Sequence, residues 1–97
     1  MDAADITLGL ELADAAPGSS EAVAALRRRF PAIRVVAVDA MDMRGEIPAA
    51  RGHRRGLWLA RSDGHCWGIT DDPARVDALL VADLPPVQAA QRAIDDH

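Results

Sequence analysis

The chain has 97 residues and a net charge of −4, with 15 acidic side chains against 11 basic ones, all arginine. That length allows one hydrophobic core, and the acidic balance disfavours a general phosphate-binding surface, so nucleic acid is an unlikely partner. A single cysteine excludes an intramolecular disulfide framework and any cysteine-rich zinc module.

Of the 48 apolar residues, 20 are alanine, so the core is built from modest pieces and would gain from burying a shared face in a dimer. Lysine, asparagine and tyrosine are absent, which points to a GC-rich genome rather than to selection for arginine. The N-terminus begins acidic and lacks the basic region of a secretory signal. No apolar run approaches the roughly 20 residues of a membrane span. A cytoplasmic bacterial protein with no membrane partner is expected, forming a single domain over 1–97 with flexible ends, the C-terminal one from about 86 to 97.

Residues 6–12, ITLGLEL, alternate Ile6, Leu8, Leu10 and Leu12 against Thr7, Gly9 and Glu11, which favours a strand. Leucine, glutamate and the alanine-rich flanks also suit a helix. Pro17-Gly18 breaks the chain, and Ser19 or Ser20 can cap a helix over 20–30 with Glu21 in its first turn. Val23, Leu26 and Phe30 share a face, Arg27 to Arg29 favour the C-terminal carbonyls, and Pro31 ends the helix. Residues 33–38 are rich in β-branched side chains and read as a strand.

Residues 39–55 show no periodicity, and a loop this long suggests a binding segment for a partner or a small molecule. Within it, Asp39, Asp42 and Glu46 could face a hard cation, although carboxylates after a strand are more often solvated turn residues. GLWLARSDGHCWGIT then reads as a β-hairpin over 56–61 and 65–70, turning at Ser62-Asp63-Gly64. Asp71 or Asp72 caps a helix expected over 73–82, with Pro73 at its first position and Val76, Leu79 and Leu80 on its apolar stripe. Residues 87–97 could form a terminal helix through Val87, Ala90 and Ile94.

The fold expected is α+β: a mainly antiparallel sheet of three or four strands, with helices packed on one face. The hairpin carries the chemistry-bearing residues. Alternation along a strand sends neighbours to opposite faces, so His65 and Cys66 cannot act directly as a dyad. A two-residue turn would pair Ser62 with His65, placing Trp58 and Trp67 on one face. A three-residue turn would pair Arg61 with His65, placing the tryptophans on opposite faces; it gives the more uniformly apolar face and is preferred.

Cys66 lies among small residues and reads as a buried hydrophobe. As a redox or metal site it would need His65, or His53 from the long loop, but the local spacing of a metal motif is missing. There is no glycine-rich phosphate loop or nucleophile elbow, which leads away from an enzyme, and no cofactor is expected. Trp58 and Trp67, with Arg61 and His65 at the rim, form the expected interaction surface for a protein partner or a homodimer.

Three segments carry a family resemblance: the helix end Leu26 to Phe30-Pro31, the run DGHCWGITDDP from Asp63 to Pro73, and LLVAD at 79–83. Through them the chain resembles small uncharacterised proteins encoded near nitrogen-fixation genes in proteobacteria, over roughly 20–84. The resemblance implies no activity. It implies that His65, Cys66, Thr70, Asp72 and Pro73 belong to a shared pattern, and it suggests an accessory role in nitrogen fixation.

Overall fold

A computed structural model describes residues 1–62 and 67–84. Helix α1 (Ala3–Ala15) and helix α2 (Ser19–Arg29) precede strand β1 (Arg34–Ala37). Strands β2 (Ala50–Arg51), β3 (Arg55–Ser62), β4 (Trp67–Thr70) and β5 (Ala78–Asp83) follow. The fold is α+β, with a mostly antiparallel five-stranded sheet and both helices against it.

The sheet order is β1-β5-β3-β2, with β4 also pairing with β3. Among the described residues only the β1–β5 pair is parallel. One face of the sheet carries Val35, Leu57, Leu59, Leu79 and Val81, all nearly inaccessible, and packs on Ala13, Ala22, Leu26 and Phe30 of the helical layer. This inner face is the main core.

Two expected elements differ. Residues 6–12 are helical, not extended. Asp2 accepts from the Asp5 backbone N–H while Asp5 accepts from the Asp2 N–H, a reciprocal cap that starts the helix. The alternating leucines are also compatible with the helical series Ile6, Gly9, Leu10 and Ala13, where Gly9 and Ala13 are buried. The local cap and the alanine-rich flanks outweigh the two-residue period.

Residues 73–82 do not form a helix. Asp72 and Pro73 initiate only a short 3-10 helix, Pro73–Arg75, after which the chain extends into β5. Asp72 accepts from the Ala74 N–H, as its expected capping role requires. The apolar run ALLVA fits a strand paired on both sides, by β1 and β3, better than a one-sided helical stripe.

Smaller differences follow local chemistry. The N-cap of α2 is Gly18, with no side-chain cap bond, rather than either serine. Within the expected loop 39–55, a 3-10 helix spans Ala40–Met43, capped by Asp39 through the Met41 N–H, and Ala50–Arg51 adds β2 to the sheet. Gly45 has a positive φ of 89°, which suits a residue without a side chain. The expected terminal helix over 87–97 lies outside the described residues.

The end of α1 is fastened by a buried arginine. Arg55 is 4% exposed, and its Nη1 donates to the carbonyls of Ala13 and Ala16 at 2.6 Å each. Those carbonyls belong to the helix end, which offers acceptors and a partial negative charge. Its Nε meets Asp83 on β5 at 2.7 Å.

Next to this clamp, the Asp14 carboxylate accepts the backbone N–H groups of His53, Arg54 and Arg55 at 3.2, 2.6 and 3.0 Å. Desolvation would raise its pKa, but the three N–H donors and the charge of His53 outweigh it, holding the carboxyl below its ordinary 3.8. Together these contacts tie α1 to the β2–β3 turn.

Candidate interaction surface

The hairpin register settles which side chains share a face. Ser62 pairs with Trp67, Arg61 with Gly68, Ala60 with Ile69 and Leu59 with Thr70. Four residues therefore separate the paired ends, and neither expected turn occurs. The preferred three-residue turn is overturned, and with it the assignment of the tryptophans to opposite faces. Trp58, Ala60, Trp67 and Ile69 all lie on the outer face, away from the helices, because paired residues share a side and alternate residues repeat it.

The β5 and β1 registers extend this face through Ala78, Leu80 and Ala82, and then through Arg34 and Val36. Half of it is covered by the chain itself. Segment 38–46 leaves β1 and folds back over the sheet, packing Val38, Ala40 and Met43 with Leu84 against Trp58 and Ala82. Trp58 is consequently 3% exposed, and its indole N–H donates to the Glu46 carbonyl at 3.3 Å. Trp58 is thus a core residue and not an available surface residue, because the long loop that lacked periodicity serves as its lid.

The other half is open. Trp67 is 53% exposed, Val36 37% and Ile69 36%, and they surround a groove of about 340 Å³ that also includes Leu80. Trp67 stands on β4 and Arg34 on β1, with β3 and β5 between them. Nevertheless the Arg34 guanidinium lies 5.8 Å from the Trp67 ring centroid. The two side chains therefore lean toward each other across the sheet, over Ala60 and Ala78. Those alanines are each 2% exposed, and their small size leaves room for the indole. A cation at this distance from an indole is attracted to the ring face.

Arg61 sits on the opposite side of the hairpin from Trp67 and does not rim this groove. It lines a broader cleft of about 860 Å³ between Ile6, the 45–49 segment and the β4–β5 connection, together with Glu46, Asp72 and Arg75. Arg75 and Asp72 approach within 3.5 Å there. The 39–55 loop lines this cleft through residues 45–49 and a second one of about 570 Å³ through Asp39, Met41, Arg44 and Arg51, and in both the acidic and basic side chains are interspersed.

His65 and Cys66 lie outside the described residues. His53 is exposed in the turn before β3, and its backbone is held by Asp14. Ser62 and Trp67 lie at the other end of β3, about 24 Å away by the rise of its eight residues. Asp39 is committed to capping, and among the described residues no group of His, Cys, Asp or Glu side chains is arranged to hold a metal ion. Among the same residues no helix is long and apolar enough to cross a membrane.

Sequence reasoning missed Arg34, Val36 and Leu80 as surface residues. Alternation in RVVAVD is a usable signal for Val36, whereas the spacing of Val76, Leu79 and Leu80 suggests a helical stripe and hides Leu80. No protein-family model, curated protein or solved structure matches the chain.

Proposed function

We propose that the chain is a small non-catalytic accessory module that docks a protein through the open half of its outer sheet face. The observation that carries this is the contiguity of Trp67, Val36 and Ile69, exposed around one groove beside a half of the same face that is fully covered. Contiguous apolar surface of this kind is costly to leave in water and is used by proteins for association. The resemblance to proteins encoded near nitrogen-fixation genes supports a cytoplasmic role in that process.

Trp67→Asp is the informative change. Trp67 is half exposed, so the fold tolerates its loss, whereas a charge at the centre of the groove opposes docking. Tagged wild type and variant would be used as baits in extracts of the native cell grown under nitrogen-fixing conditions, and each purified chain would be sized by light scattering. The expected result is a stoichiometric partner, or self-association, for the wild type, weakened at least about tenfold in a variant with an unchanged circular dichroism spectrum. Equal retention by both baits, with both chains monomeric, overturns the proposal.

A further inference from the structure

Resting on that reading, we infer that the occupant of the open groove is a second copy of this chain, with the 39–46 segment of each copy seated against the groove of the other. The outer face is a step: segment 38–46 raises one half above the sheet and the groove leaves the other half low. A stepped surface mates with itself when a two-fold axis lies across the strands, because that rotation exchanges the two halves. The interface is then isologous, the commonest form of protein dimer.

The register of β1 fixes which groups meet. Arg34 stands at the low end of the face, opposite Ala78, while Ala37, opposite Val81, leads into Val38 and the raised segment. A two-fold axis across the strands therefore brings Arg34 of one copy to the start of the raised segment of the other. That segment carries Asp39, Asp42 and Glu46 against Arg44 alone, so it is acidic. Among the described residues lining the groove, Arg34 is the charged one. Opposite charge thus faces opposite charge at both symmetric rims, around a centre formed by Trp67, Val36 and Ile69. Met41, 63% exposed on the raised segment, gives that segment an apolar contact of its own.

The arrangement follows the usual anatomy of an interface, in which an apolar centre supplies affinity and a charged rim supplies register. It also matches the composition. A chain whose apolar residues are 20 alanines and 27 larger side chains gains from burying a shared face.

Charge reversal tests the pairing, using sedimentation equilibrium of the purified chain. Arg34 and Asp42 are both exposed, and Asp42 is preferred to Asp39 because Asp39 caps the 3-10 helix. The wild type is expected to dimerise at about 100 µM or below, more weakly as salt screens the rim. Arg34→Glu and Asp42→Arg should each raise the dissociation constant about tenfold, and Arg34→Glu/Asp42→Arg together should return it to within about threefold of wild type.

A wild type that stays monomeric at about 1 mM in low salt overturns the second copy. So does a dimer that Trp67→Asp leaves intact. A dimer lost in Trp67→Asp but indifferent to both charge reversals overturns this pairing while leaving the open face as the interface. Failure of the broader reading is seen separately, as a Trp67→Asp bait that retains the same protein partner as wild type.

Discussion

Replacing Arg55 with alanine should be among the most damaging single changes in the chain, and the structure gives its size. Two bonds from a charged donor to the Ala13 and Ala16 carbonyls are lost, in a side chain that is 4% exposed. Hydrogen bonds to charged groups contribute about 1.5–3 kcal/mol each, so their loss costs about 3–6 kcal/mol. The ion pair with Asp83 adds little, because Asp83 is 64% exposed and such pairs are worth about 1 kcal/mol or less. Total stability for a domain of this size is about 5–15 kcal/mol, so the loss is a large part of it.

Thermal unfolding followed by circular dichroism should show the midpoint of Arg55→Ala lowered by about 12 °C or more. Asp83→Asn, which leaves both helix carbonyls satisfied, should shift it by no more than about 8 °C. Arg55→Lys keeps a cation near the helix end but loses the fork that reaches Asp83 and the carbonyls together, and it should fall between the two. If Arg55→Ala and Asp83→Asn lower the midpoint equally, the arginine acts through its ion pair and the helix clamp contributes nothing.

Three further outcomes follow from the same contacts. The Asp14 pKa is lowered in the folded chain, so its ionisation stabilises the fold above the ordinary value of 3.8, and that contribution is lost as pH falls through the folded value. Urea midpoints should therefore place Asp14→Asn below wild type near pH 7, with the gap narrowing as pH falls below 3.8. A Cβ at Gly52 would lie 2.6 Å from the Asp14 carboxylate, so Gly52→Ala should destabilise the wild type and be much milder in an Asp14→Ala background; equal effects in the two would refute the clash. A Cβ at Gly9 would meet Leu57 at 3.4 Å, an ordinary contact, in the interior of α1. Gly9→Ala should therefore raise stability by up to about 1 kcal/mol, read from chemical denaturation.

What the sequence determined by itself was chiefly local. Helix α2 was legible because Val23, Leu26 and Phe30 repeat at helical spacing between a Pro-Gly break and Pro31, and all these signals lie within one stretch of chain. β1 and the hairpin were legible for the same reason, and so was the α+β class. The exposure of Trp67 was not legible, because the preferred register put it on the same face as Leu57 and Leu59, which the observed pairing of Ser62 with Trp67 reverses.

The remainder depended on which elements became neighbours. LLVAD has no periodicity that separates a buried strand from a helix, and its conformation was decided by distant partners in the chain, at Arg34 to Ala37 and Arg55 to Ala60. The same apparent stripe that suggested a helix supplies an interior strand of the sheet, paired on both edges. Residues 6–12 were ambiguous because their two-residue and helical periods overlap, and the cap at Asp2 tips the balance.

The candidate surface shows the division most clearly. The sequence placed two tryptophans near a turn, but one shift of register moves every side chain to the opposite face, and turn length cannot be read from SDG alone. The tertiary structure then separated two residues of the same kind on the same face. Trp58 is covered because segment 38–46 folds back over it, and Trp67 is open because that segment ends before reaching it. Arg55 gave no signal either: among 11 arginines, its burial follows from the carbonyls that α1 presents to it across 39 and 42 residues of chain. Local propensity and hydrogen bonding act between near neighbours and are written in the sequence. Burial is a property of the assembled layers, so only the folded molecule assigns it.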